Sequence, residues 1–108
     1  MRRERFGAFI VEVPETGRER VRGLRGRDAL APRTGLLLRR CRSVQTFGMR
    51  FAIDAVLLDR HDRVMAVVRL QPGRLLLPRP RVRSILEVAA GTGSELLSSV
   101  AAERHPPR

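Results

Sequence analysis

The sequence predicts one small, mostly β domain of the α+β class, in which a largely antiparallel sheet of short strands is accompanied by two helices. The length of 108 residues suits a single domain with one modest hydrophobic core. Short apolar runs bounded by proline, glycine and polar clusters recur along the chain, as is typical of strands. Two Thr-x-x-Glu patterns, at Thr16 and Thr92, indicate one helix after the first strand and one C-terminal helix.

The first strand and the first helix are predicted from adjacent segments. The apolar run of residues 8–13 forms the strand. Thr16 can accept a hydrogen bond from the amide of Glu19, and the Glu19 side chain can reach back, so the two residues form a capping box. The helix that follows should carry Val21 and Leu24 inward, three positions apart, with a solvated arginine face opposite them.

Two buried strands and a hairpin are predicted in the middle of the chain. Residues 35–39 form a buried strand, and residues 49–59 form a long strand with apolar residues on both faces, which is typical of an element covered twice. The polar residues 59–62 form a turn, after which residues 63–70 pair back. One face of that last strand is predicted to hold Val64, Ala66, Val68 and Leu70, and the other Met65 and Val67.

The last part of the chain is predicted to contain an extended arm, a strand and a helix. Residues 75–77 form the arm between prolines, and residues 82–89 form the strand. Thr92 and Glu95 form the second capping box and begin the helix. Its apolar stripe consists of Leu96, Leu97, Val100 and Ala101. We expect this stripe either to pack across the open end of the sheet in a monomer or to dock on a second copy in a dimer.

The charge of the chain is strongly basic, at +11, and all 22 basic residues are arginine. The absence of lysine, asparagine, tyrosine and tryptophan resembles the codon bias of a GC-rich genome. A protein that binds single-stranded nucleic acid uses aromatic stacking platforms, and this chain has only four phenylalanines, all in apolar contexts. We therefore expect weak, non-specific binding to polyanions at low salt, with a nucleic-acid-binding protein kept as an alternative.

The chain is expected to be one cytoplasmic domain. No stretch of roughly 18 apolar residues is present, and the apolar run of residues 6–11 is too short for a signal peptide. Cys41 is the only cysteine, which excludes an internal disulfide. Residues 1–103 form the domain, and residues 104–108, with two prolines, form a tail.

Several blocks of this sequence resemble the family called domain of unknown function 192, also known as uncharacterised protein family 0127. Residues 45–59, QTFGMRFAIDAVLLD, are similar to its signature HTFxMRFPIDVVFLD. Further similar blocks, in the same order and spacing, lie at residues 19–27, 35–38, 63–74 and 85–92. The resemblance implies a compact, barrel-like β fold and names no activity or cofactor. In actinobacterial relatives, genes of this family often lie near genes for type II/IV secretion and tight-adherence pili. This proximity suggests an accessory role in those systems.

Two departures from the family pattern bear on function and closure. Gln45 stands where this branch of the family commonly has histidine, which removes the best titrating group near neutral pH. The closing GLxxGDxV strand of the family is missing, and residues 96–102 carry the apolar helical pattern instead. The first departure weakens a catalytic interpretation, and the second puts closure of the barrel in doubt.

The best candidate site from the residues is a binding site for an anion. Arg50 and Asp54 lie four apart on a predicted strand, so we expect them to share a face and to contact each other, either at a pocket floor or as a structural ion pair. A binding module would use them to recognise an anionic small molecule, glycan or peptide terminus through an arginine-rich rim. The predicted ligand-binding residues are Arg25, Arg27, Thr46, Arg50 and Asp54.

Other chemistry has less support in the sequence. A small enzyme could use Asp54 and Glu87 as acid and base, although we expect Glu87 instead to have an arginine partner. Cys41 is interpreted as a core thiol, because no partnering histidine stands near it in a motif. The single cysteine and two scattered histidines have no metal-ligand spacing, and residues 91–94 lack the lysine of a phosphate-binding loop. No catalytic residue, metal or cofactor is assigned.

Overall fold

The computed structural model describes residues 1–96 and shows a mostly β domain with two sheets. The elements are β1 Arg2–Phe6, β2 Phe9–Val13, α1 Gly17–Arg22, β3 Thr34–Arg39, β4 Val44–Gln45, β5 Ile53–Leu58, β6 Val64–Leu70, β7 Leu75–Leu76 and β8 Ser84–Ala89. A second helix, α2, begins at residue 93 and is described as far as residue 96.

The main sheet has six strands in the order β1-β2-β3-β8-β5-β6, and β4 pairs with β7 in a separate small sheet. All neighbouring strands are antiparallel except β2 and β3, which run parallel. That parallel pair needs a crossover, which residues 14–33 with α1 provide. The predicted barrel is wrong for the described part of the chain, because β1 and β6 remain as the two edges of an open sheet.

The first strand of the fold was missed by the sequence prediction, which began at residue 8. Arg2–Phe6 pairs along its length with Phe9–Val13, and Gly7, with φ of 60°, makes the tight turn between them. β1 is mostly exposed and carries three arginines. An edge strand protected by charge has no apolar alternation, so its sequence looks like a basic terminus.

The first capping box is confirmed. The Thr16 hydroxyl accepts from the amide of Glu19 at 3.1 Å, and a Glu19 carboxylate oxygen accepts from the Thr16 amide at 3.1 Å. The inward position of Val21 is wrong, because its side chain is 71% exposed. The helix ends at Arg22 and is capped by Gly23. Leu24 is buried but lies after the end of the helix, so the three-residue spacing does not put it on the same helical face as Val21.

The hairpin of β5 and β6 is confirmed, but the facing of β6 is only partly as predicted. The register shifts between Leu57 and Leu58, so that Ala66 lies opposite Leu57 and Val64 lies opposite Leu58. Met65 is the extra residue of this β-bulge. Val64 therefore packs on the opposite side of the sheet from Ala66, although period-two alternation placed them on one face.

Each face of the sheet has its own hydrophobic core. On one side, which we call the α1 face, Leu36, Leu38, Ala55, Leu57 and Ile85 pack under Leu24 and the β4–β7 sheet. On the other, the hairpin face, Leu37, Val56, Leu58, Leu86 and Val88 pack against β1, β2 and Leu96. On the hairpin face β1 and β2 belong to the same sheet, so this core forms among the sheet's own strands together with Leu96.

The C-terminal helix is described at its beginning only. Leu96 is fully buried in the core of the hairpin face, as predicted for the apolar stripe. The remaining stripe residues, Leu97, Val100 and Ala101, lie outside the described residues. Within residues 1–96, the structure contains no helix that combines the length and the apolar character needed to cross a membrane.

Candidate functional site

Asp54 is a structural anchor on the hairpin face. One of its carboxylate oxygens accepts from Nε of Arg69 at 2.6 Å, and the other accepts from the amides of Gly91 at 2.9 Å and Gly93 at 3.0 Å. Burial alone would raise the pKa of Asp54, but these hydrogen bonds hold it below the ordinary value. The carboxylate therefore fixes the turn from β8 into α2.

The predicted contact between Arg50 and Asp54 is wrong. Arg50 instead pairs with Asp28 at 2.7 Å, and both side chains are well exposed. The spacing argument failed because β5 begins only at Ile53, so Arg50 lies in a turn where strand alternation does not apply.

Thr46 and Arg27 also have structural partners. The Thr46 hydroxyl is fully buried, donates to the carbonyl of Gln71 at 2.6 Å and accepts from the amide of Arg74 at 2.8 Å. It joins the loop after β6 to the small β4–β7 sheet. Arg27 pairs with Glu12 of β2 at 3.1 Å.

A half-open pocket of about 320 Å³ lies between the α1 segment and the α1 face of the sheet. We call it the α1 pocket. Its floor is made by Leu38 and Glu87, and its rim carries the exposed Arg20, Arg22 and Arg25. The other lining residues are Val21, Gly23, Leu24, Cys41, Ser43, Val44, Gln45 and Met49. Of the five binding residues predicted from the sequence, Arg25 alone lines this pocket.

Glu87 is a buried carboxyl group that opens into the α1 pocket. Its residue is 4% exposed, and burial raises its pKa to about 7. Among residues 1–96, no hydrogen bond or ion pair engages this carboxyl group, so the expected arginine partner is wrong. Every fully buried side-chain nitrogen or oxygen atom in the same range has a hydrogen-bond partner. Because the Glu87 oxygens have none there, they are not fully buried and remain accessible from the pocket.

Cys41 and Gln45 form part of the wall. The thiol of Cys41 donates to the carbonyl of Ser43 at 3.0 Å, and burial raises its pKa. The thiol therefore stays protonated at neutral pH, which agrees with the interpretation of a core thiol rather than a nucleophile. The amide oxygen of Gln45 accepts from the amide of Phe47 at 2.6 Å. In the part of the chain that the structure describes, no three His, Cys, Asp or Glu side chains gather as metal ligands.

The sequence of nearly the whole chain matches one protein family. Residues 2–100 match the profile of the DUF192 family, described as Uncharacterized ACR, COG1430. The chain belongs to the DUF192 family. The resemblance stated from the sequence blocks is thereby confirmed. Gln45, which belongs to the block that carried the resemblance, lines the α1 pocket.

Two solved structures resemble this DUF192 domain in fold. One is a protein of unknown function from Novosphingobium aromaticivorans DSM 12444, with a TM-score of 0.71 and 21% identity, covering 82% of this chain and 68% of that one. The other is described as a "putative transcription regulator" from Sinorhizobium meliloti 1021, with a TM-score of 0.70 and 23% identity, covering 82% of this chain and 74% of that one. Comparison with curated proteins yields no significant match.

The residues of the α1 pocket were only partly visible in the sequence. Glu87 was recognised as a carboxyl group in an apolar strand, and the capping box located the helix that carries Arg20 and Arg22. Nothing local indicated that residues 20–25 lie over the face that holds Glu87. Strand alternation predicts which residues of β8 share a face with Glu87. It does not predict which of the two faces lies under the α1 segment, because that depends on how the strands pair.

Proposed function

We propose that this DUF192 domain is a small binding module whose α1 pocket holds a small molecule with an anionic group. The observation that carries the proposal is the arrangement of Arg20, Arg22 and Arg25 on the rim above the carboxyl of Glu87, which has no partner among residues 1–96. Guanidinium groups bind carboxylates and phosphates through paired hydrogen bonds. A volume of about 320 Å³ is at the small end of ligand pockets, which favours a compact ligand.

Glu87 makes the proposed binding depend on pH. With a pKa of about 7, its carboxyl is protonated in a substantial fraction of molecules at neutral pH. The protonated group can donate a hydrogen bond to the anion, whereas the ionised group repels it. Anion binding should therefore tighten as the pH falls through about 7 and should take up a proton.

An acidic glycan and a free peptide C-terminus share this anionic chemistry, and both belong to the proposal. So does an accessory role linked to secretion or tight-adherence pili, which rests on family resemblance alone. A cytoplasmic location is likewise proposed from the sequence. The catalytic alternative that pairs Asp54 with Glu87 is not retained, because the two carboxyl groups lie on different faces of the sheet.

The test is a ligand screen by thermal shift at pH 6 and pH 8. Small carboxylates, phosphate esters, sugar acids and a short peptide with a free C-terminus form the panel, and a ligand at about 100 times its Kd should stabilise the fold by about 2.7 kcal/mol. Arg25→Gln should reduce the shift, whereas Arg18→Gln, which removes the same charge outside the pocket, should not. Glu87→Gln should keep the shift at both pH values. A shift that survives Arg25→Gln unchanged, or that keeps the wild-type pH dependence in Glu87→Gln, would place the ligand elsewhere.

A further inference from the structure

A second feature of the molecule is a concentration of arginines at one end of the main sheet, none of which lines the α1 pocket. The ends of β3 and β5 meet the start of β8 there, since Arg39 and Leu58 both lie opposite Ser84. The amide of Arg83 donates to the carbonyl of Leu58 at 2.8 Å, and the carbonyl of Arg83 accepts from the amide of Cys41 at 3.0 Å. Three separate turns are therefore joined at this end.

The three turns bring together five exposed arginines, Arg40, Arg42, Arg60, Arg81 and Arg83, which we call the arginine end. None of the five has an ion-pair partner within residues 1–96. The two aspartates nearby are already engaged, Asp59 with Arg63 and Asp62 with Arg39. The local positive charge is therefore not neutralised by the protein itself.

The arginine end contains two adjoining depressions that share Arg60 and Arg83. Their lining is arginine with Ser84, Asp59 and His61, and no phenylalanine or aliphatic side chain of the described residues takes part. Within the described residues, the lining has no phenylalanine, tyrosine or tryptophan to serve as a stacking platform for unpaired bases, and it has no apolar side chain to insert into a lipid bilayer. It suits a ligand that presents phosphate groups in a row.

The backbone at this end is held in conformations that L-residues rarely adopt. Arg40 has φ of 51° and Arg81 has φ of 70°, both in the left-handed region where glycine would cost less. Strain of this kind persists where the surrounding structure enforces it, and it is found at functional sites. Here the turns place long cationic side chains at positions where a residue without a side chain would relieve the strain.

We propose that the arginine end binds the sugar–phosphate backbone of duplex nucleic acid without reading its sequence. Guanidinium groups from separate turns would contact successive phosphates in the two depressions, and counterion release would supply the affinity. The proposal is independent of the ligand of the α1 pocket. It locates on one surface a binding property that net charge alone would spread over the whole molecule.

The experiment measures anisotropy of a labelled duplex of about 20 base pairs, in two unrelated sequences, between about 50 and 200 mM KCl. The test variant is Arg60→Gln with Arg83→Gln, which changes both residues shared by the depressions. The control is Arg3→Gln with Arg5→Gln on β1, which has the same net charge. We expect the test variant to bind the duplex about tenfold more weakly, and the slope of log affinity against log salt concentration to become shallower by about two. The control should lose less than about threefold in affinity. Arg42→Gln, at an exposed position, serves if the double variant does not fold, and about threefold loss is expected.

Three results would overturn the proposal. Equal losses in the test and control variants would mean that total charge, not this surface, attracts the duplex. Tighter binding to a single strand than to the duplex would contradict a site chosen for paired phosphate rows, because it would mean that unpaired bases contribute to binding. Tighter binding to vesicles of phosphatidylcholine with phosphatidylserine than to the duplex would assign the arginine end to anionic membranes instead.

Discussion

Asp54 and Glu87 lie on opposite faces of the main sheet although their strands are hydrogen-bonded neighbours. Asp54 lies opposite Val88, and Glu87 lies opposite Ala55, so the alternation of each strand directs the two carboxyl groups apart. Asp54 is held ionised by Arg69 and two backbone amides, whereas Glu87 has a raised pKa beside a pocket. Two carboxyl groups at adjacent positions of the sheet therefore serve separate purposes.

Replacing Glu87 by glutamine should stabilise the protein at alkaline pH. The pKa of Glu87 is raised from 4.5 to about 7 on folding, so its stabilising contribution is complete below pH 4.5 and is lost as the pH rises through about 7. Glu87→Gln has no such loss and should exceed the wild type by about 2–3 kcal/mol at pH 8.5, with little difference at pH 4.5. Urea unfolding of both proteins across this pH range measures the difference in their free energies of unfolding. A difference that does not grow with pH would contradict the raised pKa of Glu87.

Replacing Asp54 by asparagine should destabilise the fold. The change weakens the bond to Arg69 and at least one of the amide contacts that anchor the turn into α2, and about 2–4 kcal/mol is expected at pH 7. Because the folded pKa of Asp54 is lowered, its contribution is present above the unfolded pKa and is lost as the pH falls through the folded one. Asp28→Asn is the matched control, since its ion pair is exposed, and it should change stability by less than about 0.5 kcal/mol. Equal effects in the two variants would contradict the anchoring role of Asp54.

Gly93 should not tolerate alanine, although alanine favours helices. A Cβ at Gly93 would lie 2.5 Å from a methyl group of Val67 and 3.1 Å from a carboxylate oxygen of Asp54. We expect Gly93→Ala to cost about 1–3 kcal/mol, and Val67→Ala to recover part of that loss in the double variant. Gly17→Ala, where a Cβ meets nothing within 4 Å, should be neutral or stabilising by up to about 1 kcal/mol. Thermal unfolding measures the stability of each of these variants. An unchanged stability in Gly93→Ala would show that the start of α2 can move enough to accommodate the added methyl group.

Truncating Leu96 should weaken the core of the hairpin face. Its side chain is fully buried, so Leu96→Ala should cost about 2–5 kcal/mol, whereas Leu77→Ala, at a position 66% exposed, should cost less than about 0.5 kcal/mol. Deletion of residues 94–108 removes the same contact and should leave a domain with little reserve of stability. Denaturant unfolding with sedimentation measures both stability and oligomeric state. Unchanged stability in Leu96→Ala would show that the start of α2 is dispensable.

The sequence by itself determined the features that depend on neighbours along the chain. The capping box of Thr16 and Glu19 was predictable because both partners lie within one helical turn. The buried character of β3 and β5, and the turn between β5 and β6, followed from apolar runs and the polar residues between them. The family signature added the assignment to DUF192.

The tertiary structure decided the features that depend on where strands begin and how they pair. β1 became visible only as the partner of β2, and the late start of β5 separated Arg50 from Asp54. The bulge at Met65 changed which face Val64 occupies. In each case a shift of one or a few residues redirects a side chain to the other side of the sheet, because side chains alternate with a period of two. The α1 pocket exists because residues 20–25, held by the buried Leu24, lie over the face that holds Glu87, and this arrangement joins residues more than 60 positions apart.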